Sequence, residues 1–297
     1  MPLNRREALA ALLAATRGAV IIDTHIHLFD PVRVPYATDA PYKPAAEPVE
    51  AYATFALEAG LAHAVIVHPE PYQDDHRYLE YCFAGEKKLG LPAGFFKSTC
   101  LFDPVAAETP ARMEALVRKH PGRVVALRIH EMHKPGTPSL TAGPIKDRDL
   151  KSPAMLATWR KAQALGLGIQ MHFLPHYAPE IAELAGQFPK VPVILDHLAR
   201  VGQGTPEEFE GVLGLAKFPK VVMKYSGVEY SAKADWKPIV RRMFDAFGPQ
   251  RMIWGALGYT RDEFAKQSQL LNRMFDFATE AQRARIRGGN AAELFGW

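Results

Sequence analysis

Residues 21–29 read IIDTHIHLF: apolar residues suited to a buried strand, followed by two histidines one residue apart. Side chains two apart on a strand leave the same face, so Asp23, His25 and His27 are expected to point one way. A metal ion can use such a pair, although a single histidine at a strand end is more often a hydrogen-bonded structural residue. Two same-face imidazoles are costly to satisfy by accident, which shifts the weight toward a functional site. The rest of the chain must decide between the two readings.

The chain has 297 residues, 48% hydrophobic and 23% charged. That is the balance of a soluble globular protein, and the length suits a single (β/α)8 barrel, which takes about 250 residues. The formal charge is +4, but lysine and arginine are scattered, in pairs such as Lys87-Lys88 and Arg241-Arg242 rather than in a run. Nucleic acid is therefore not an expected partner, whereas a small anionic substrate suits the charge. Cys82 and Cys100 are too few for a disulfide framework and read as core residues of a reducing, cytoplasmic compartment. No apolar stretch approaches the ~20 residues that span a bilayer, so no membrane association is expected. Residues 1–18 form an N-terminal extension in which Arg5-Arg6 precedes an Ala/Leu run. It is like an abbreviated twin-arginine export signal, but the first strand begins near residue 19 and leaves no room for the usual cleavage region; a helix is the favoured reading.

From residue 19 to 297 a single domain is expected. Eight short runs rich in Val, Ile and Phe recur: AVIIDTH from 19, HAVIVH from 63, AGFFKSTC from 93, RVVALRIH from 123, LGIQMHF from 167, VPVILDH from 191, KVVMKYS from 220 and RMIWGA from 251. Between them lie helix-length patterns, such as SPAMLATWRKAQALG with Ser152 and Pro153 at its start and Gly166 at its end, good start and stop signals. Apolar strands alternating with helices indicate a parallel sheet covered on both faces, and eight such units indicate an α/β fold of the (β/α)8 TIM-barrel class. Alternation alone leaves a doubly wound sheet open. A barrel places its chemistry at the C-terminal strand ends. There the sequence has His25 and His27, His68, Arg128 and His130, His172, Asp196 and His197, and Lys224 and Ser226.

With these residues in place, the chain resembles the amidohydrolase superfamily, and within it the branch of 2-pyrone-4,6-dicarboxylate lactonases and sugar-lactone hydrolases. The resemblance runs from residue 20 through IDTHIHLFDP, LRIH, MHF, ILDHLAR, KYSG and FGPQRMIWG, in that order. It implies that His25, His27 and His172 hold a divalent ion such as zinc or manganese, with an aspartate after the eighth strand as a further ligand. A bound ion would lower the pKa of its water toward ~7. The resemblance also implies that His197 moves protons or polarises substrate, and that Arg128 and Lys224 hold a carboxylate or oxyanion, for which a guanidinium fork is suited. In the lactonase branch the same groups are understood to act without a metal, the strand-eight aspartate activating water.

That aspartate is missing. The stretch after the eighth strand reads WGALGYTRDEF, with Leu257 in its place and Asp262 and Glu263 in what reads as the next helix's first turn, where carboxylates are common for dipole reasons. General-base catalysis contributes about 10²- to 10⁴-fold, so the loss needs compensation. Glu131, Glu70, Asp196, His130 or His197 could supply the base; the segment RIHEMH makes His130 a candidate ligand, base or substrate contact, whereas His133 reads as a solvated loop residue. His68 and Glu70, after the second strand, are candidates to face the site, while Asp74, Asp75 and His76 read as helix caps. The resulting expectation is hydrolysis of a small oxygen-rich, anionic substrate, most simply a lactone. The alternatives are a metal-dependent non-oxidative decarboxylase of the same superfamily and a non-catalytic ligand-binding relative in which Leu257 has ended the chemistry.

Overall fold

The structure is a computed structural model that describes residues 20–138, 143–227, 235–258 and 260–297; the extension expected over residues 1–18 lies outside them. Eight parallel strands neighbour one another in chain order: β1 Ile22–Ile26, β2 His63–Ile66, β3 Phe96–Cys100, β4 Val124–Glu131, β5 Gly168–Phe173, β6 Val193–Leu195, β7 Val221–Tyr225 and β8 Met252–Trp254. A helix follows each: α1 Val49–Glu58, α2 Arg77–Gly85, α3 Thr109–Lys119, α4 Pro153–Leu165, α5 Ala178–Gln187, α6 Pro206–Gly214, α7 Lys237–Phe247 and α8 Arg261–Met274. Two short helices, α9 Glu280–Ala284 and α10 Asn290–Phe295, end the chain. The gap between β8 and β1 is bridged by Thr24 Oγ1 donating to the Trp254 carbonyl (2.7 Å), Ala256 N–H to Asp23 Oδ1 (2.9 Å) and Leu257 N–H to the His25 carbonyl (3.2 Å). This is the (β/α)8 barrel, and the doubly wound alternative falls away.

Local signals account for the helix ends. Ser152 Oγ accepts the Met155 N–H at the start of α4, and Gly166, at φ 69°, ends it, a left-handed position that glycine fills without a Cβ penalty. Thr260 and Glu263 form a reciprocal capping box on α8, so Glu263 serves the helix, as its place in the sequence implied.

Alternation along the strands sorts the core. Leu127, Ile129, Met171, Leu195 and Met223 face the helices. Ile22, Val65, Ala126, Ile194, Val222 and Ile253 fill the lower barrel interior, against Ala291 and Phe295 of α10. Above them Arg128, Gln170, Asp196 and Lys224 form a polar interior layer, each at most 2% exposed. Two departures from simple alternation matter. The β1 register shifts between Asp23 and Ile26, so Ile22 and His25, which a regular strand would send to opposite faces, both reach the interior. Asp23 does not join the histidines in the cavity: its Oδ1 accepts the N–H groups of His25 and Ala256. Glu131, next to inward-facing His130, turns away and accepts the Arg148 N–H at 3.2 Å. It is thereby removed from the candidate bases.

Two predictions follow from this packing. A Cβ on Gly255 would lie 2.4 Å from His25 Cβ and 3.0 Å from its backbone nitrogen; Gly255→Ala is expected to destabilise the protein by about 1–3 kcal/mol, read as a lower thermal midpoint. Burial pushes the Glu131 carboxyl up to about 9 from 4.5. The folded chain therefore holds a proton there that the unfolded chain releases, and the associated stability is present below the unfolded value and lost as pH rises through the folded one. Urea titrations between about pH 5 and 9 should show a steeper loss of stability in the wild type than in Glu131→Gln.

Candidate active site

A cavity of about 450 Å³ is lined by His27, Phe29, Tyr42, Glu47, Glu70, Arg128, His172, His197, Arg200 and Leu257, among others. Of the residues that the sequence singled out, His27, His172, His197 and Arg128 line it. His25, His130 and Lys224 do not; they are almost fully buried around it, at 0%, 2% and 0% exposure. His68, weighed as facing the site, is a structural residue instead: its Nε2 bonds the Gln73 carbonyl at 3.0 Å and its ring stacks on His76.

The buried layer is organised by Asp196, at the end of β6. Its Oδ1 lies 3.1 Å from Lys224 Nζ and 3.7 Å from His25 Nδ1; its Oδ2 accepts from Gln170 Nε2 at 3.0 Å and lies 3.5 Å from Arg128 Nε. Burial alone would raise this carboxyl, but the Lys224 ammonium and His25 hold it well below the usual range. Lys224 also donates to the Thr24 carbonyl and to Gln170 Oε1, at 3.1 and 3.0 Å. The ammonium expected to hold a substrate anion thus neutralises a protein carboxylate and positions it.

Glu70 projects from the turn after β2 to a point between β4 and β5. Its Oε1 is 3.4 Å from His130 Nδ1, 3.8 Å from His172 Nδ1 and 3.7 Å from Arg128 Nη1. Burial raises its carboxyl, opposed by Arg128 and Arg200. Arg128, 2% exposed, has no hydrogen-bond partner for its Nε or Nη1 among the described residues. The imidazoles are neutral: burial brings His27 and His197 down to about 3, and burial with the neighbouring cations Arg128 and Arg200 holds His172 well below its ordinary value. His197 Nδ1 is 3.0 Å from Ser226 Oγ. His197 and Arg200 reach the cavity from four consecutive left-handed residues, His197 to Arg200, with φ between 49° and 54°.

The fit of a metal can be judged on these donors. His27 Nδ1 bonds the Val67 carbonyl at 2.8 Å, and His25 Nδ1 faces Asp196, the outer partners that metal-bound histidines usually have. Their Nε2 atoms stand 3.3 Å apart, close to the separation of two nitrogens at about 2.0–2.1 Å on a tetrahedral ion. The set then stops. His172 Nε2 is covered by Arg200, whose Nε and Nη2 lie 2.9 and 2.6 Å away, and Leu257 supplies no carboxylate. The structure groups His25 with Asp196 and His197, and His172 with Glu70 and His130, rather than bringing His25, His27 and His172 to one point. The three histidines expected to share an ion therefore do not converge as built, whereas Glu70, His130 and His172 place their ligand atoms within 4.8 Å of one another, close enough to hold one.

Arg200 was missed in the sequence, although it closes ILDHLAR three residues after His197. An arginine on a loop carries no periodic signal, and its approach to His172 depends on the left-handed turn.

The sequence model of the amidohydrolase family matches residues 22–297. The chain is 25% identical over 252 residues to the L-fucono-1,5-lactonase of Burkholderia ambifaria, covering 80% of this chain and 81% of that protein. Among solved structures it is similar to a probable 2-pyrone-4,6-dicarboxylic acid hydrolase from Acinetobacter baumannii with citric acid bound, at a TM-score of 0.74 and 18% identity, over 93% of this chain and 99% of the other. It is also similar to a zinc-bound amidohydrolase from Burkholderia multivorans, at a TM-score of 0.66 and 17% identity, over 94% and 99%. The match over all eight strands, with the histidine-bearing rim they position, makes the chain a member of the amidohydrolase family.

Proposed function

We propose that the protein hydrolyses a lactone that carries a negative charge. The observation that carries this reading is the placement of Glu70: a half-shielded carboxylate beside Arg128, His130 and His172, in the cavity from which Leu257 has removed the carboxylate that the family resemblance implied. The similarity to a lactonase supports the substrate class, and the two guanidiniums that line the cavity, Arg128 and Arg200, support the charge.

In this reading Arg128 binds the anionic group, and the neutral rings of His27 and His197 border the lactone carbonyl. Glu70 takes a proton from water as its oxygen attacks the carbonyl carbon. The tetrahedral adduct collapses with cleavage of the ring C–O bond, the leaving oxygen receives a proton and an open hydroxy acid is released. A carboxyl raised by burial is a better base at neutral pH than an ordinary one, because its affinity for the proton lies nearer the working pH. No step in this reading runs through a metal.

Glu70→Gln keeps the shape and removes the base; kcat on a substrate lactone is expected to fall about 10²- to 10⁴-fold, and a change within a few-fold would remove Glu70 from the mechanism. Dialysis against a chelator, followed by metal analysis and assay, should leave turnover unchanged. Leu257 favours one second reading, decarboxylation, which needs no activated water at that position. Product analysis in ¹⁸O-water separates the two: hydrolysis places one labelled oxygen in the product carboxylate, whereas release of carbon dioxide would establish decarboxylation.

A further inference from the structure

We propose that Arg200 is an anion-operated latch on His172: in the free protein it caps the imidazole, and a carboxylate-bearing ligand draws it away and frees that nitrogen. The substrate half of this inference rests on the lactonase reading; the latch itself does not.

Two donors of one guanidinium, Nε and Nη2, converge on a single acceptor, His172 Nε2, at 2.9 and 2.6 Å. A guanidinium only donates, so Nε2 presents its lone pair and the neutral ring carries its proton on Nδ1. That atom is buried, lies 3.8 Å from Glu70 Oε1 and makes no hydrogen bond among the described residues. The arrangement is internally consistent but weak at both ends. Nε and Nη2 share one lone pair where two oxygens would suit their spacing, and the Nδ1–H points at a carboxylate too distant to accept it well.

A ligand carboxylate would satisfy the fork with two oxygens, a charge-assisted bidentate contact stronger than one shared imidazole nitrogen. Arg128 brings a second guanidinium to the same cavity, and its buried Nε and Nη1 make no hydrogen bond among the described residues. The backbone beneath Arg200 also stores strain, since left-handed geometry brings Cβ too close to the following carbonyl oxygen at each non-glycine residue. Such strain persists where the surroundings impose it, and it clusters at sites that switch. Four consecutive residues, none of them glycine, carry it here. The consequence is selectivity: His172 Nε2 becomes available when a carboxylate is in place, and a neutral lactone leaves it capped.

The test uses the full-length protein with citrate as a non-hydrolysable carboxylate probe. Long-range ¹H–¹⁵N correlation of the histidines should show His172 as the Nδ1–H tautomer in free protein, and its Nε2 resonance should shift on saturation with citrate. An unchanged resonance at saturation overturns the latch, and this arm needs no variant to fold. By calorimetry, Arg200→Met is expected to weaken citrate about 10- to 100-fold, the worth of a charge-assisted contact. Arg200→Lys, which keeps the charge without the fork, should fall between. Equal citrate affinity in wild type and Arg200→Met also overturns the proposal. In turnover, Arg200→Met should lose more kcat/KM on a carboxylated lactone than on a neutral one; equal loss on both makes Arg200 a general structural residue and refutes the latch. If neither lactone is hydrolysed by the wild type while both the citrate effect and the resonance shift are seen, the latch stands and the lactonase reading falls.

Discussion

The structure depends on one buried charge. Asp196 is fully enclosed at the end of β6, where an isolated carboxylate would be prohibitively costly. Lys224, Gln170, Arg128 and His25 answer that cost from β7, β5, β4 and β1, so the same contacts that neutralise the charge tie these strands into a common register. Breaking a buried pair by removing one partner costs about 3–5 kcal/mol, which makes the layer a rigid floor. The rim histidines inherit their positions from it: His25 is aimed by Asp196, and His27 stands beside it through the Nε2 contact.

Above that floor the site is unusual for the company it keeps. Its imidazoles are neutral, held so by burial and by neighbouring cations, and two guanidiniums, Arg128 and Arg200, share the cavity with Glu70. Leu257 marks the change. Its φ of 55° places a bulky apolar side chain in the left-handed region, where asparagine and aspartate are better tolerated, while its N–H still joins β8 to β1 through the His25 carbonyl. The barrel closure keeps the backbone in place whatever side chain it bears, so catalytic responsibility can pass to another carboxylate without disturbing the fold. Glu70 reaches the cavity from the turn after β2, on the opposite side of the β1 histidines from Leu257, and among the described residues its carboxylate faces Arg128, His130 and His172.

Much of this was legible in the chain. Eight apolar runs separated by helical patterns, with Ser152, Pro153 and Gly166 as punctuation, specify a repeated strand and helix unit, because periodicity and capping are local properties. The clustering of His25, His27, Arg128, His130, His172 and His197 at strand ends followed from the same reading, since a barrel strand can end its chain direction only at that rim. Other features were not legible. Strict alternation misdirects Ile22, because the shift between Asp23 and Ile26 arises from pairing with β2. Lys224 and Arg128 look alike as rim cations and both approach Asp196, yet only Arg128 also lines the cavity, a distinction set by depth.

The sequence by itself determined the eightfold strand-and-helix repeat, its polar strand ends and the absence of a carboxylate at position 257, since all three are written in residue identity and spacing along one strand or helix at a time. Only the tertiary structure decided that Asp196 is the buried hub, that Glu70 meets His130 and His172, and that Arg200 covers the nitrogen on which a third metal ligand would depend. Those relations join side chains from different strands and from a left-handed turn. Their energies come from burial and from distances of 3–4 Å across the barrel, which no local pattern encodes.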